Sequence, residues 1–503
     1  MTICTLSALL LARPFAADLR DLAVRLLPLI QQMGQLIQEF RMEAPNPQRT
    51  CEFEQALQKR LRQVGQEMVA WVYNTLEAQE AQRLPEHMCW EGECYRRRTR
   101  TANRNLATLF GTIVLWRFRY EPVERGFVCI FPLEIRLGIE AARATPALAE
   151  RVGQWSAQHT QKTVLELLRR EHGVAWSVNT LRKVTASLSA GLAPLRQAAQ
   201  VQQVLDWLRE AQDSRGPHRP VLSVGRDGIF VPLRHDGEYH EGATATVSVL
   251  DRRGRRLGTV YLGHMPEPGQ TTLSQQLTAL LQEVLGQWQN PLPRLEYVTD
   301  GGHHPTEYYR QVLKKMPDPH RPGHQLDWQW VVDYYHACGY ITKMAEALFG
   351  AGTREAHAWA HKMRHWLQHR RHGIFRVLHS AAAHRAFWEL SAEEAKAYDK
   401  AYAYLRKRMQ FMDYAAYRRR GLAIGSGVTE AACKTIFTQR MKQSGMTWLL
   451  EGGKVIVDLR VIWLSGVWSL VHQAYLAGKP QAETQANLGT KLPMLETISK
   501  KAA

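Results

Sequence analysis

The chain has 503 residues, 45% of them apolar and 22% charged, which is too long for one ordinary core and too apolar for intrinsic disorder, and suggests about two to four folded domains. Lys and Arg number 65 against 47 Asp and Glu, a formal charge of +18, and a surplus of that size points to a polyanionic partner whose condensed counterions are released on binding. Seven scattered cysteines argue against a disulfide framework and for a reducing compartment, and no apolar run has membrane-spanning length.

The stretch Leu6 to Leu11 lacks the preceding positive charge of a secretion signal, and Arg13 interrupts the apolar run just beyond it, so it reads as a first amphipathic helix. Between residues 17 and 80, Leu19, Leu22, Leu26, Leu27 and Ile30 recur at helical steps, and residues 1–90 form a helical N-terminal region. Cys89 and Cys94 bracket four residues and Cys129 stands alone; a zinc site would need a second close pair. Residues 91–211 read as a DNA-binding region. Its basic run holds Arg96, Arg97, Arg98 and Arg100, either a solvated loop or a DNA contact. Thr112 to Tyr120, with Ile113, Leu115, Arg117 and Arg119, predicts a short strand with a basic face. Two helices then flank the break His172-Gly173-Val174: Thr160 to Glu171, and one capped by Ser177 or Asn179 that turns Leu181, Val184 and Leu188 inward. This outlines a helix-turn-helix at about 160–188 that would offer Asn179, Thr180, Arg182 and Lys183 to a major groove; a helical hairpin without DNA contact has the same outline.

The polar stretch 212–220 marks a domain boundary. Strands come next at Val221 to Leu233, Ala243 to Leu250 and Leu257 to Leu262, with the turn Asp251-Arg252-Arg253-Gly254 between the last two. A helix from Thr272 to Trp288, a strand from Leu295 to Thr299, a helix from Pro305 to Lys315 and a strand from Trp328 to Val332 complete an α/β layout over 221–333. Residues 334–420 are helical and basic, with Arg370 and Arg371 among interleaved aromatics. Gly425-Ser426-Gly427 opens a helix running to about Ser444, within a last segment of 421–477, and 478–503 is a polar, loosely held tail.

Asp227 lies inside the first of these strands, where an ionised carboxylate is costly to bury unless it is paired or binds a cation. Asp300 sits where the fourth strand ends, the edge at which open α/β sheets bind ligands. Glu430 lies in the first turn of the Ser426-capped helix, where the helix dipole favours its anion. Carboxylates converging from separate elements suit a hard divalent cation, Mg²⁺ or Mn²⁺, and two such ions roughly 4 Å apart serve phosphodiester chemistry without a protein nucleophile. Taken singly, each acid has an ordinary explanation in a turn or a helix start.

Four stretches go further: Arg226-Asp227-Gly228; Tyr297-Val298-Thr299-Asp300-Gly301-Gly302; Val332-Asp333-Tyr334-Tyr335-His336-Ala337; and Ile424-Gly425-Ser426-Gly427-Val428-Thr429-Glu430, continued by Ala431-Ala432-Cys433-Lys434. With Arg440 to Trp448, they resemble bacterial DDE insertion-sequence transposases of the ISKra type, related to the Mutator superfamily, over about residues 95–475. The resemblance implies a ribonuclease H-like catalytic core, an all-helical insertion at 334–420, and Asp227, Asp300 and Glu430 as catalytic metal ligands. Asp333 and His336 match the family's acid-x-x-His motif as accessory residues; Asp333 rivals Asp300 as second acid, and Asp300 is preferred for its place after the fourth strand. His336 is either functional or a core histidine. Lys434, Arg440 and Lys442 join the DNA-contact candidates. Relatives often carry paired cysteines near Cys129; here it is single, which departs from the pattern.

The resulting expectation is a cytoplasmic, nucleoid-associated transposase that binds terminal inverted repeats as at least a dimer on double-stranded DNA, cleaves strands and transfers them. A ribonuclease H-like nuclease or resolvase without strand transfer, and a transposase-derived DNA-binding protein without activity, are the alternatives.

Overall fold

The computed structural model describes residues 17–80, 85–124, 128–235 and 237–479; the expected helix at Leu6 to Leu11 and the tail from residue 480 lie outside them. Two compact units form, one from the described residues up to Leu188 together with 474–479, the other from Ser189–Gln473. No single described helix is long and apolar enough to cross a membrane.

The first unit begins with a helical hairpin, α1 (Ala17–Met42) and α2 (Pro47–Glu80), closed by stacking of Phe40 on Phe53 at 4.5 Å. Next in the chain is an antiparallel meander: β1 (His87–Trp90), β2 (Glu93–Thr108) and β3 (Gly111–Pro122). α2 covers the free edge of β3. Asn74 donates to the Val114 carbonyl at 2.9 Å and accepts from the Trp116 amide at 2.8 Å, satisfying groups that an open edge leaves unpaired. The Arg96–Arg100 run is not a loop: it lies in β2, and the strand's register with β3 shifts within it, between Arg97 and Thr101.

The basic face expected of Thr112 to Tyr120 needs correction. Ile113, Leu115 and Arg117 share one face by strand alternation, and that face is buried. Arg117 is therefore interior, paired with Glu134 and lying 4.0 Å over the Phe131 ring. Arg119 is the exposed one.

A short helix α3 (Pro132–Arg136) leads to α4 (Pro146–Gln158), α5 (Gln161–His172) and α6 (Val178–Leu192). Thr160 caps α5 by accepting from the Thr163 amide at 3.2 Å, Gly173 closes it in the left-handed region, and Ser177 accepts from the Thr180 amide to start α6. Leu148, Val152, Val164, Leu168, Leu181 and Val184 make their common core.

In the second unit α7 (Arg196–Asp213) precedes β4 (Val221–Pro232), β5 (Tyr239–Leu250), β6 (Arg256–His264), α8 (Thr271–Gln287), β7 (Arg294–Thr299), α9 (His303–Gln311) and β8 (Trp328–Val332). The sheet order is β6-β5-β4-β7-β8; β4, β5 and β6 pair antiparallel, and β7 and β8 join β4 in parallel. Both faces are covered. A Cβ at Gly258 would meet Trp207 of α7, and one at Gly263 would meet Val457 of a later helix; five residues apart on one strand, the two face opposite ways.

Residues 334–420 are mostly helical: α10 (Tyr334–Phe349), α11 (Arg354–His369), α12 (Gly373–Phe387), α13 (Ala392–Arg408) and α14 (Tyr414–Arg419). Then come α15 (Gly427–Cys433), a π-turn at Lys434–Thr438, α16 (Gln439–Met441), α17 (Leu450–Leu464) and α18 (Trp468–Gly478).

Candidate active site

The middle of β4 and the ends of β7 and β8 set the site. The parallel register pairs Gly225 with Val298 and Thr299 with Val332. Extended by two residues and by one, it brings Asp227 of β4 level with Asp300 and Asp333, the residues just beyond β7 and β8. Adjacent strands are about 4.8 Å apart, so Asp300 neighbours Asp227 while Asp333 stands a further strand away.

The third acid arrives on α15, and glycine permits it. Gly225 and Asp227 share a face of β4. A Cβ at Gly225 would overlap the Thr429 hydroxyl, so the bare glycine lets the helix lie against the strand. Thr429 bonds Thr246 of β5 at 2.8 Å, hydroxyl to hydroxyl. Four residues later the Cys433 thiol donates to Asp227 Oδ2 at 3.5 Å. Four helical residues rise about 6 Å and two strand residues about 6.6 Å, so Thr429 over Gly225 and Cys433 over Asp227 are in step.

The electrostatics are set by this packing. Asp227 accepts from the Gly228 amide at 2.8 Å. Burial pushes its carboxyl up to about 6, and the Asp300 and Glu430 carboxylates push the same way, against the Gly228 and Cys433 bonds. Three acids therefore share one electrostatic neighbourhood. Burial first, then the carboxylates, lift the Cys433 thiol far above its ordinary range, in keeping with its donation to Asp227. Among the described residues no three of His, Cys, Asp and Glu already stand as a closed metal-binding group.

Asp333 has a different job. It is 1% exposed and caps α10 through the His336 amide at 2.5 Å. Its other oxygen accepts from the Ser426 amide and lies 2.8 Å from the Ser426 hydroxyl. Ser426 Oγ also lies 3.1 Å from Glu430 Oε1. Ser426 occupies the N-cap position of α15 without its hydroxyl capping the backbone; that hydroxyl instead links Asp333 to Glu430. Spacing could not reveal this bridge, because its ends are far apart in the chain. His336 is exposed, 5.8 Å ring to ring from Tyr404, and is not a core histidine.

The DNA-contact candidates divide by exposure. Arg96, Arg98, Arg100, Asn179, Arg182, Lys183, Arg370, Arg371 and Lys434 are exposed, and Arg97 and Lys442 are half-buried. Arg96 and Arg98 pair with Glu86 and Glu121, and Arg97 lies 5.2 Å over Phe118. Arg440 is a correction: it is 1% exposed, 5.4 Å over the Trp448 ring, its guanidinium drawn down to about 10 by burial and then by Arg460. An interior group of this kind supports the fold around α16 and does not meet a phosphate. Cys89 and Cys94 face one another across the β1–β2 hairpin, Sγ to Sγ 3.1 Å. In comparisons with known proteins, no family model matches this sequence and no curated protein does.

Proposed function

We propose that this protein is a DNA transposase that cleaves and transfers DNA strands with divalent cations held by Asp227, Asp300 and Glu430. The observation that carries the reading is the parallel β4–β7 register, which continued past Gly225–Val298 sets Asp300 level with Asp227, with the Glu430 helix seated on Gly225 and coupled to Asp227. The strand order and directions are those a ribonuclease H-like core requires, and the helical stretch between β8 and α15 stands where the resemblance implies an insertion. The donor set of three carboxylates fits Mg²⁺ or Mn²⁺. Bound there, two such ions would supply Lewis acidity and an activated oxygen nucleophile for phosphodiester hydrolysis and transesterification.

The chain's own residues do the rest. Asp333 and Ser426 orient Glu430. Arg370, Arg371 and Lys434, exposed on the second unit, are suited to neutralise phosphates without reading sequence. On the first unit, α5 and α6 have the outline of a helix-turn-helix, with Asn179, Arg182 and Lys183 exposed on α6; reading of inverted repeats is assigned there, with a second copy of the chain holding the other DNA end.

The test is nicking of a supercoiled plasmid and joining of pre-cut ends, with and without Mg²⁺. Both activities are expected from the parent and neither from Asp227→Asn, Asp300→Asn or Glu430→Gln. Nicking without joining would reduce the function to a nuclease; a fully active Asp227→Asn variant would overturn the site.

A further inference from the structure

The helical insertion grips the turn that carries Asp300. Tyr404 and Arg408 lie one helical turn apart on α13, on one face. The Tyr404 hydroxyl donates to the Asp300 backbone carbonyl. Arg408 donates twice to the Gly301 carbonyl, from Nη2 at 2.6 Å and from Nε at 3.2 Å. Its guanidinium carbon lies 4.1 Å over the Tyr404 ring, and that ring stacks on Tyr340 of α10 at 3.8 Å. Two consecutive carbonyls beyond the end of β7 are thus held by one helix, itself stacked on another. Gly301 takes φ +75°, and a Cβ there would run into Arg408; this glycine serves both the left-handed turn and the close approach. The Asp300 carboxylate accepts from the Gly302 amide at 2.8 Å, so the clamped backbone sets the direction of the side chain.

We propose that Tyr404 and Arg408 are positioning residues for Asp300, so that the insertion sets the geometry of the cation site. This rests on the metal-site reading above. A stretch that served only to hold DNA would have no need to bond the two carbonyls next to a metal ligand. A carboxylate held in place costs less ordering on cation binding than one on a loose turn, so loosening the clamp is expected to weaken the cation before it alters DNA affinity.

The experiment is a calorimetric titration of the full chain with Mn²⁺, beside a gel-shift titration with duplex DNA in Ca²⁺. Tyr404→Phe removes one hydroxyl and is expected to weaken Mn²⁺ binding about fivefold, the usual worth of one such hydrogen bond. Arg408→Met is expected to weaken it about tenfold or more, since charged donors bond more strongly. DNA affinity of Tyr404→Phe should stay within about twofold. If Arg408→Met fails to fold, Tyr404→Phe still decides. Mn²⁺ affinity equal to the parent's in Tyr404→Phe would overturn the inference while the metal-site reading stands. Parent binding of Mn²⁺ that is indifferent to Asp227→Asn would remove that reading, and the inference with it.

Discussion

Removing the Asp227 carboxylate should stabilise the metal-free protein, because the fold holds that charge where it is unwelcome. Its carboxyl is raised from 3.8 to about 6 by burial and by two like-charged neighbours. The native state therefore binds the proton more tightly than the unfolded chain does. Native stability from this group is greatest below the unfolded value, falls as pH rises from about 4 to about 6, and is level above. That rise corresponds to roughly 3 kcal/mol at neutral pH; allowing for relaxation and partial hydration, about 2 kcal/mol is expected. Asp227→Asn keeps the shape and removes the charge. Its melting temperature in EDTA at pH 7.5 should exceed the parent's by several degrees, at roughly 2–4 °C per kcal/mol, and the advantage should vanish near pH 4. Added Mg²⁺ should reverse the order, since ligand binding stabilises only the protein that binds it. Scanning calorimetry across pH reads both effects. A variant less stable than the parent at pH 7.5, or a gap that ignores pH, would refute the reasoning.

Other substitutions probe the scaffold. Asp333→Ala strips the α10 cap and leaves Ser426 without its acceptor, so denaturant unfolding should show a loss of about 2–4 kcal/mol. Ser426→Ala, which cuts the bridge between Asp333 and Glu430, should lower the cleavage rate at saturating Mg²⁺ more than it lowers the melting temperature. Gly225→Val drives a side chain into Thr429; cleavage should fall below detection with far-ultraviolet circular dichroism retained, and full activity would show that α15 need not touch β4. Replacing Arg370 and Arg371 together by Ala should flatten the dependence of DNA affinity on salt by about two units of log–log slope if each meets a phosphate, and an unchanged slope would take both off the interface.

Much of the second unit can be read from the chain. The runs Val221 to Leu233 and Trp328 to Val332 are strands because their branched and aromatic side chains fit a covered sheet, and the helical stretch 334–420 shows in its periodicity. The first unit is less legible at its sheet. Arg96 to Arg98 look like a loop, yet they lie in β2, where Arg96 pairs with His87 of β1 and Glu121 of β3 and Arg97 with Tyr120 of β3, and a sequence does not state who lies alongside. Arg117 reads as half of a basic face because its charge outweighs the alternation that puts it inside with Ile113 and Leu115. At the candidate site, Asp300 and Asp333 have near-identical local settings. The distinction between them is tertiary: Asp333 spends both oxygens on Ser426 and the α10 cap, and Asp300 is one strand nearer to Asp227. Tyr404 and Arg408 carry no local signal, because the carbonyls they hold lie more than a hundred residues earlier.

The convergence of Asp227, Asp300 and Glu430 on bound cations is tested most directly by replacing Mg²⁺ with Fe²⁺ and letting ascorbate and peroxide generate hydroxyl radicals at the bound metal, with the cut peptides mapped by mass spectrometry. Backbone cuts close to residues 227, 300 and 430 together, all suppressed by excess Mg²⁺, are the expected pattern. Cuts at only one of the three segments, or cuts indifferent to Mg²⁺, would contradict a shared site.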